Sequence, residues 1–196
     1  MNVSIYCSSL TGNTRKMAVY VAEKLQSTGY EVTLLEASDV VRRGDGSEII
    51  PDISILAFWC RRSGLDDLSA NLLSRWNGRK IIGIGTIGGN VKGDYGDRVK
   101  KNVKEAIGRD NICLGVGICQ GSVDLKRIER RRLLPKDSKH YVSPEKYRRV
   151  LKTQGHPDQE DLKSIADYVS GVLGIYIPAQ NRYTVGNRVD SASDSD

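Results

Sequence analysis

The chain opens with VSIYCSSLTGNT over residues 3–14, in which an apolar, β-branched run passes directly into a loop rich in hydroxyl side chains. Residues 3–7 predict a short strand, and apolar residues three to four apart over 17–25 predict a helix directly after the loop. The first turn of such a helix offers unpaired backbone N–H groups and the positive end of the helix dipole. A phosphate can therefore be held there without a lysine.

Six consecutive residues form this candidate phosphate loop: Ser9, Leu10, Thr11, Gly12, Asn13 and Thr14. The hydroxyls and the amide add donors, and the glycine lets the backbone come close to a ligand. The loop lacks both the GKS or GKT ending of nucleotide triphosphatases and the GxGxxG pattern of dinucleotide-binding proteins. The pattern favours a phosphate monoester, with Thr11 and Thr14 as the main side-chain donors.

Short apolar strands continue to alternate with helical segments as far as residue 119. Further strands are predicted at residues 31–36, 53–59, 80–85 and 112–119, helices at 65–76 and 97–107, and a polar loop at 42–47. This alternation requires right-handed crossovers and a parallel sheet that is covered on both faces. We therefore predict an α/β fold, a doubly wound sheet of five parallel strands.

A strongly basic segment follows the fifth predicted strand. Residues 120–152 hold eleven Lys and Arg against four Asp and Glu, a formal +7, whereas the rest of the chain is close to neutral. Helices are predicted at 123–134, after a cap at residues 143–145, and from Asp158 to Gly174. We expect one domain over residues 1–178, with a basic helical insertion at 121–157, and a disordered tail at 179–196.

Composition and cysteine spacing exclude several classes. With 39% hydrophobic residues and twenty glycines, the chain has the make-up of an ordinary globular domain rather than of a disordered one. The four cysteines show no CxxC spacing and there are only two histidines, so we expect buried free thiols and no metal site. The apolar stretches are too short to cross a membrane and residues 1–7 do not read as a signal peptide, so we expect no membrane span and a cytoplasmic protein.

The loop at residues 9–14 resembles the [S/T]-x-T-G-x-T phosphate loop of flavodoxins, which bind flavin mononucleotide (FMN). The resemblance covers the five strands and implies the flavodoxin-like strand order 2-1-3-4-5, with the ligand beyond the carboxyl ends of the strands. It also implies that loops after strands three and four clamp the isoalloxazine, with Trp59 and Tyr95 offering the two stacking faces. The residues assigned to this clamp are Trp59, Cys60, Arg61, Gly64, Thr86, Ile87, Gly88, Gly89 and Tyr95.

The resemblance implies an FMN protein that carries electrons to or from a larger reductase, with the flavin supplying the chemistry and no catalytic side chain required. Residues 118–121, 143–145 and 155–158 further resemble a flavodoxin-like subfamily found beside bacterial bilirubin reductase, the BilS proteins. In that match, His156 is a structural residue that leads into the last helix.

Charge near the flavin loop departs from the acidic surroundings of ordinary flavodoxins. Arg61, Arg62 and the basic segment favour a redox partner with an acidic docking face. Two alternatives stay open: a stand-alone NAD(P)H-dependent flavin or quinone reductase on the same fold, and a cofactor-free module that binds nucleic acid through residues 126–149. The second is the least favoured, because that stretch holds no recognised nucleic-acid motif.

Overall fold

Five parallel strands form a single sheet in the computed structural model of the chain, which describes residues 1–44 and 50–181. The strands are β1 (Asn2–Cys7), β2 (Glu31–Glu36), β3 (Ile53–Trp59), β4 (Lys80–Ile87) and β5 (Ile112–Gln120). Their order in the sheet is β2-β1-β3-β4-β5, and every neighbouring pair is parallel. The predicted fold class and strand order are confirmed.

Seven helices belong to the described part of the chain. They are α1 (Asn13–Ser27), α2 (Ala37–Arg43), α3 (Asp67–Leu73), α4 (Asp94–Gly108), α5 (Leu125–Arg132), α6 (Pro144–Leu151) and α7 (Gln159–Asn181). Helices α1 and α7 pack on one face of the sheet, and α2, α3 and α4 pack on the other. None of the helices in these ranges is long and apolar enough to cross a membrane.

The central strand β3 shows why the sheet is buried on both faces. Ile53, Ile55 and Ala57 belong to the core under α1 and α7, whereas Leu56 and Phe58 belong to the core on the opposite face. The neighbouring strand places Gly85 beside Phe58, where a Cβ would lie 2.4 Å from the ring carbon Cζ. A glycine at this position lets the phenyl ring lie across β4, directly below the edge where β3 and β4 end.

The insertion after β5 has a small core of its own. Ile128 of α5, Val142 of the following loop and Val150 of α6 are buried together. The two ends of the insertion are joined, because the backbone N–H of Ser122 donates to the carbonyl of His156 over 2.9 Å. The predicted basic helical insertion is thus a small folded unit whose two ends are hydrogen-bonded to each other.

Several local predictions need correction. Helix α2 occupies residues 37–43, where no helix was predicted, since only Ala37 and Val40 of this short helix are buried and its residues show no helical period. The predicted polar loop at 42–47 therefore starts after Arg43, and residues 45–49 lie outside the described ranges. Strand β4 continues to Ile87, since its last two residues still pair with β5, so Thr86 and Ile87 belong to the strand.

The other corrections concern helix ends. Helix α4 begins at Asp94, so Tyr95 lies in its first turn and not in a loop. Helix α7 continues past Gly174 to Asn181, so the predicted tail begins within a helix at residues 179–181, and residues 182–196 lie outside the described ranges. Cys7 and Cys119 are buried thiols as predicted, but Cys60 and Cys113 are only half-buried.

Candidate functional site

A cavity of about 260 Å³ lies at the carboxyl edge of the sheet, where the phosphate loop meets the ends of β3 and β4. The residues of the predicted site that line it are Leu10, Thr11, Asn13, Trp59, Cys60, Thr86, Ile87 and Gly88. The fold thus brings three distant segments of the chain together at the edge where ligands of open parallel sheets bind.

The remaining wall of the cavity comes from the insertion, which the sequence had placed only at its rim. Gly121 to Asp124 line the cavity where the chain leaves β5, and α5 contributes Arg127, Ile128 and Arg131. The sequence shows these residues as part of a basic segment. Which of its side chains face the sheet depends on how the insertion packs, and no local pattern specifies that.

The phosphate loop is shaped by Ser9 and Gly12. The Ser9 hydroxyl accepts hydrogen bonds from the backbone N–H groups of Gly12 and Arg15, both over 3.2 Å. Gly12 has a left-handed φ of 90°, and the space where its Cβ would stand is open. The loop backbone is therefore exposed at the point where α1 begins.

The first turn of α1 carries free donors. Gly12 caps the helix without a side-chain hydrogen bond, and the first backbone bond of the helix runs from Lys16 N–H to the Gly12 carbonyl, over 2.9 Å. Within the described ranges, the N–H groups of Asn13 and Thr14 donate to no protein acceptor. This is the donor set that a phosphate group needs at a helix start.

The two threonines of the loop differ in exposure. Thr11 is exposed, whereas Thr14 is buried and its hydroxyl lies 2.9 Å from the hydroxyl of Thr86 on β4. Asn13 donates its amide to the Thr11 hydroxyl and to the carbonyl of Ser122, over 3.2 and 2.8 Å. Thr14 therefore ties α1 to the sheet, Asn13 ties the loop to the insertion, and Thr11 is the threonine hydroxyl that faces outward.

A buried carboxylate supports the loop from below. Asp66 is 1% exposed and accepts a 2.7 Å hydrogen bond from the Ser8 hydroxyl. It also caps α3 by accepting the backbone N–H groups of Leu68 and Ser69, each over 3.1 Å. Asp66 was not among the residues predicted from sequence, although an Asp directly before a helical pattern is a capping signal.

The loop after β3 is a tight turn. Arg61 and Gly64 exchange two backbone hydrogen bonds of 3.0 Å, and the residues between them, Arg62 and Ser63, have φ angles of 51° and 62°. Positive φ at both central residues is the geometry of a type I′ turn. The guanidinium of Arg61 pairs with Asp67 at the start of α3. Neither Arg61 nor Gly64 is among the residues that line the cavity.

Tyr95 lies behind the cavity and not in it. Its hydroxyl is 3.5 Å from the Cys60 sulfur, and its ring occupies the space beside Gly89, where a Cβ would lie 2.6 Å from the ring. Burial, followed by the hydrogen bond with Cys60, raises the pKa of Tyr95 to about 12. Tyr95 is therefore a protonated phenol at neutral pH that supports Cys60, one residue behind Trp59.

The end of the insertion is fixed by a capping box at the start of α7. Asp158 and Asp161 each accept the other's backbone N–H over 3.0 Å, and the Asp161 carboxylate lies 2.5 Å from Nδ1 of His156. The backbone bond from Asp161 holds the pKa of Asp158 below its usual value. These three side chains come within 4.8 Å of one another, and their contacts give His156 a role in holding the base of the insertion.

The crevice offers a partner for each part of FMN. The loop N–H groups and the Thr11 hydroxyl suit a phosphate, the polar groups of Thr86 and Ser122 suit a ribityl chain, and Trp59 suits an aromatic ring. At 260 Å³ the cavity is slightly smaller than the ~300 Å³ at which typical ligand sites begin. The donor chemistry fits the cofactor, which supplies electron-transfer chemistry when bound.

Comparisons with known proteins agree with this geometry. The sequence profile of the flavodoxin domain family matches residues 4–170. The chain is 28% identical over 177 residues to the flavodoxin-like domain-containing protein BilS of Clostridioides difficile (strain CD3), covering 88% of this chain and 97% of that protein. Oxidised flavodoxin 1 from Bacillus cereus shares the fold with a TM-score of 0.53 and 13% identity, covering 89% of this chain and 98% of its own. Because the profile spans most of the sequence, the chain belongs to the flavodoxin domain family, whose cofactor is FMN.

Proposed function

We propose that this chain carries electrons on FMN to or from a larger reductase, and that the reductase docks on the basic insertion. The observation that supports this function is the position of α5. One face of the helix lines the flavin crevice, and the other face carries a second, open groove. A partner seated on that groove is separated from the crevice by one helix, about 10–12 Å in diameter with its side chains.

The groove on the outer face of α5, called the docking groove below, is basic with one apolar edge. It is lined by Lys126, Glu129, Arg130, Arg132 and Leu133, and Leu133 is 87% exposed. In the described part of the chain, Lys126 and Arg130 form no ion pair, whereas Arg132 stacks on the Tyr147 ring at 4.0 Å. Unpaired cations beside an exposed leucine suit a partner face with acidic and apolar groups.

The subfamily resemblance supports one class of reductase as the partner. The sequence is similar to a BilS protein over most of both chains. The resemblance noted in the sequence analysis is to a subfamily found beside bilirubin reductase. We therefore propose that the partner reduces bilirubin and that the chemistry on bilirubin takes place in the partner. The flavodoxin-domain chain then needs an exposed route for electrons and no catalytic acid or base of its own.

The test is the rate of electron exchange between the FMN-loaded chain and purified bilirubin reductase across a salt series. We expect the rate to fall as salt increases, because screening over about 8 Å at physiological ionic strength weakens charge steering. Lys126→Gln/Arg130→Gln should lower the low-salt rate by about tenfold. Lys136→Gln/Lys139→Gln removes the same charge from the insertion outside the docking groove and should have a smaller effect.

Two outcomes oppose the proposal. If the rate of electron exchange is independent of salt and equal in both double variants, the docking groove does not bind the partner. Steady NADH or NADPH oxidation by the purified FMN-loaded chain without a partner would instead favour the stand-alone reductase.

A further inference from the structure

We propose that Arg127 and Arg131 of α5 pair with the phosphate of FMN, so that the insertion completes the cofactor site opposite the phosphate loop. This inference rests on FMN binding in the crevice, which is part of the proposed function, and is independent of the identity of the redox partner. It makes the two arginines cofactor-binding residues, in addition to the neutral donors of residues 9–14.

The phosphate of FMN brings negative charge into the crevice. A phosphate monoester carries about −1.5 to −2 at neutral pH. The two cations that follow the loop are already engaged, because Arg15 pairs with Glu36 over 3.1 Å and the Lys16 ammonium donates to the Pro157 carbonyl over 2.6 Å. The buried carboxylate of Asp66, bonded to Ser8 beneath the loop, adds negative charge. The loop side therefore supplies donors but no available counter-charge.

Helix α5 carries two arginines on the side that lines the cavity. Arg127 and Arg131 are four residues apart, so they lie on one face of the helix, and both line the cavity that Thr11 and Asn13 line. Neither forms an ion pair with any carboxylate that the structure describes. Asp124 also lines the cavity, but it caps α5 by accepting the Arg127 backbone N–H over 3.0 Å. Two cations thus face the crevice across from the loop with one carboxylate at the helix start.

Hydrogen bonds hold the start of the insertion in place beside the phosphate loop and the sheet. The insertion is attached to the phosphate loop, because the Asn13 amide donates to the Ser122 carbonyl over 2.8 Å. It is attached to the sheet by the Gly121 N–H, which donates to the Ile87 carbonyl over 2.9 Å. These bonds fix where α5 begins relative to the loop. Planar guanidinium groups held in this way match phosphate oxygens in geometry as well as in charge.

The test compares the affinities of FMN and riboflavin, which differ only in the phosphate. In Arg127→Gln/Arg131→Gln, the FMN dissociation constant should rise about 10- to 100-fold, since hydrogen bonds to charged groups are lost. The riboflavin affinity should stay within about threefold of wild type, because its ring contacts remain. The control, Lys136→Gln/Lys139→Gln, removes equal charge from the insertion and should retain the wild-type preference for FMN.

Two outcomes overturn the inference. If the double variant keeps the wild-type preference for FMN over riboflavin, the arginines do not pair with the phosphate. If both affinities fall equally, the arginines act through packing only. Riboflavin binding also reports whether the variant is folded.

A measurement on the wild-type chain alone tests the same point if the variant does not fold. FMN affinity should fall with salt more steeply than riboflavin affinity, because Arg127 is exposed and salt screens its pairing with the phosphate. Equal salt dependence of the two ligands would contradict the inference. Failure of the wild-type chain to bind FMN at all would instead contradict the proposed function.

Discussion

The two sides of the crevice at the carboxyl edge of the sheet are built in different ways. The side called here the sheet wall consists of residues 9–14 and the ends of β3 and β4, and it rests on two extensive cores. The side called the insertion wall is α5, which rests on a core of Ile128, Val142 and Val150. The sheet wall presents neutral N–H and hydroxyl groups, whereas the insertion wall presents cations. A large core holds the donors that must be placed accurately, and a small unit carries charge that acts over longer distances.

The largest expected effect comes from breaking the insertion wall. Ile128→Ala removes one of its three buried side chains and should cost about 2–4 kcal/mol in the local stability of α5 and α6. In native-state hydrogen exchange, amides of α5 and α6 should lose protection while those of β1 and β3 keep theirs. Ile55→Ala in β3 is the matched control and should lower protection throughout the sheet. Uniform loss of protection in Ile128→Ala would show that the two walls unfold as one unit.

The next largest effect concerns the sheet wall. Thr11→Val removes the exposed hydroxyl of the phosphate loop and should weaken FMN binding by about 1.5–3 kcal/mol, measured by titration. Thr14→Ser keeps the hydroxyl that contacts Thr86 and should bind FMN like wild type. Arg15→Gln should have little effect, since Arg15 pairs with Glu36. Loss of binding in Arg15→Gln with none in Thr11→Val would contradict this account of the loop.

The sheet wall was predictable from sequence and the insertion wall was not. Residues 9–14 are contiguous and follow a strand, so one local pattern contains both the loop and its place in the fold. Arg127 and Arg131 were predicted only as members of the basic segment. Which face of an inserted helix lies against the sheet depends on tertiary packing, which no local pattern specifies.

Arg61 and Tyr95 lie outside the lining of the cavity for similar reasons, and their contact with FMN stays a prediction. The loop sequence favours a cation beside the flavin, but Asp67 lies close enough in the fold to pair with Arg61. Tyr95 follows several glycines that favour a loop, yet it begins α4 and packs behind Cys60. In each case a contact between segments overrides a local pattern.

Alkaline pH should affect the two walls differently. Burial raises the pKa values of Cys7 and Cys119 to about 12, from the usual thiol value of 9.0. Above pH 9 the unfolded state loses these thiol protons, whereas the folded state keeps them. The free energy of unfolding therefore keeps the contribution of the thiols below pH 9 and falls as the pH rises above it. At pH 10 the loss is about 1.4 kcal/mol for each thiol.

The measurement is thermal or denaturant unfolding of wild type and Cys7→Ala/Cys119→Ala from pH 7 to 10. The variant should lose less stability over this range than wild type. The insertion at 121–157 contains no cysteine, so local opening of α5 should lack this pH dependence. Equal pH slopes in the two proteins would show that the thiols do not contribute.

The smallest expected effect is on the redox potential. Arg61→Gln/Arg62→Gln should lower the potential of the second electron, because positive charge near the flavin favours the more negative reduced form. The change should stay below about 1 kcal/mol, since Arg62 is exposed and Arg61 is paired with Asp67. Redox titration of both proteins measures it, and a rise in potential would contradict the sign of the effect.

The central claim is that FMN binds in the crevice between the phosphate loop and α5, and tryptophan fluorescence tests it most directly. Trp59 lines the crevice, whereas Trp76 is 4% exposed and packs edge-on against Tyr6 at 4.6 Å in the core. During FMN titration, Trp76→Phe should keep most of the wild-type quenching amplitude and Trp59→Phe should lose it. Full quenching in Trp59→Phe, together with its loss in Trp76→Phe, would place the flavin elsewhere and contradict the account.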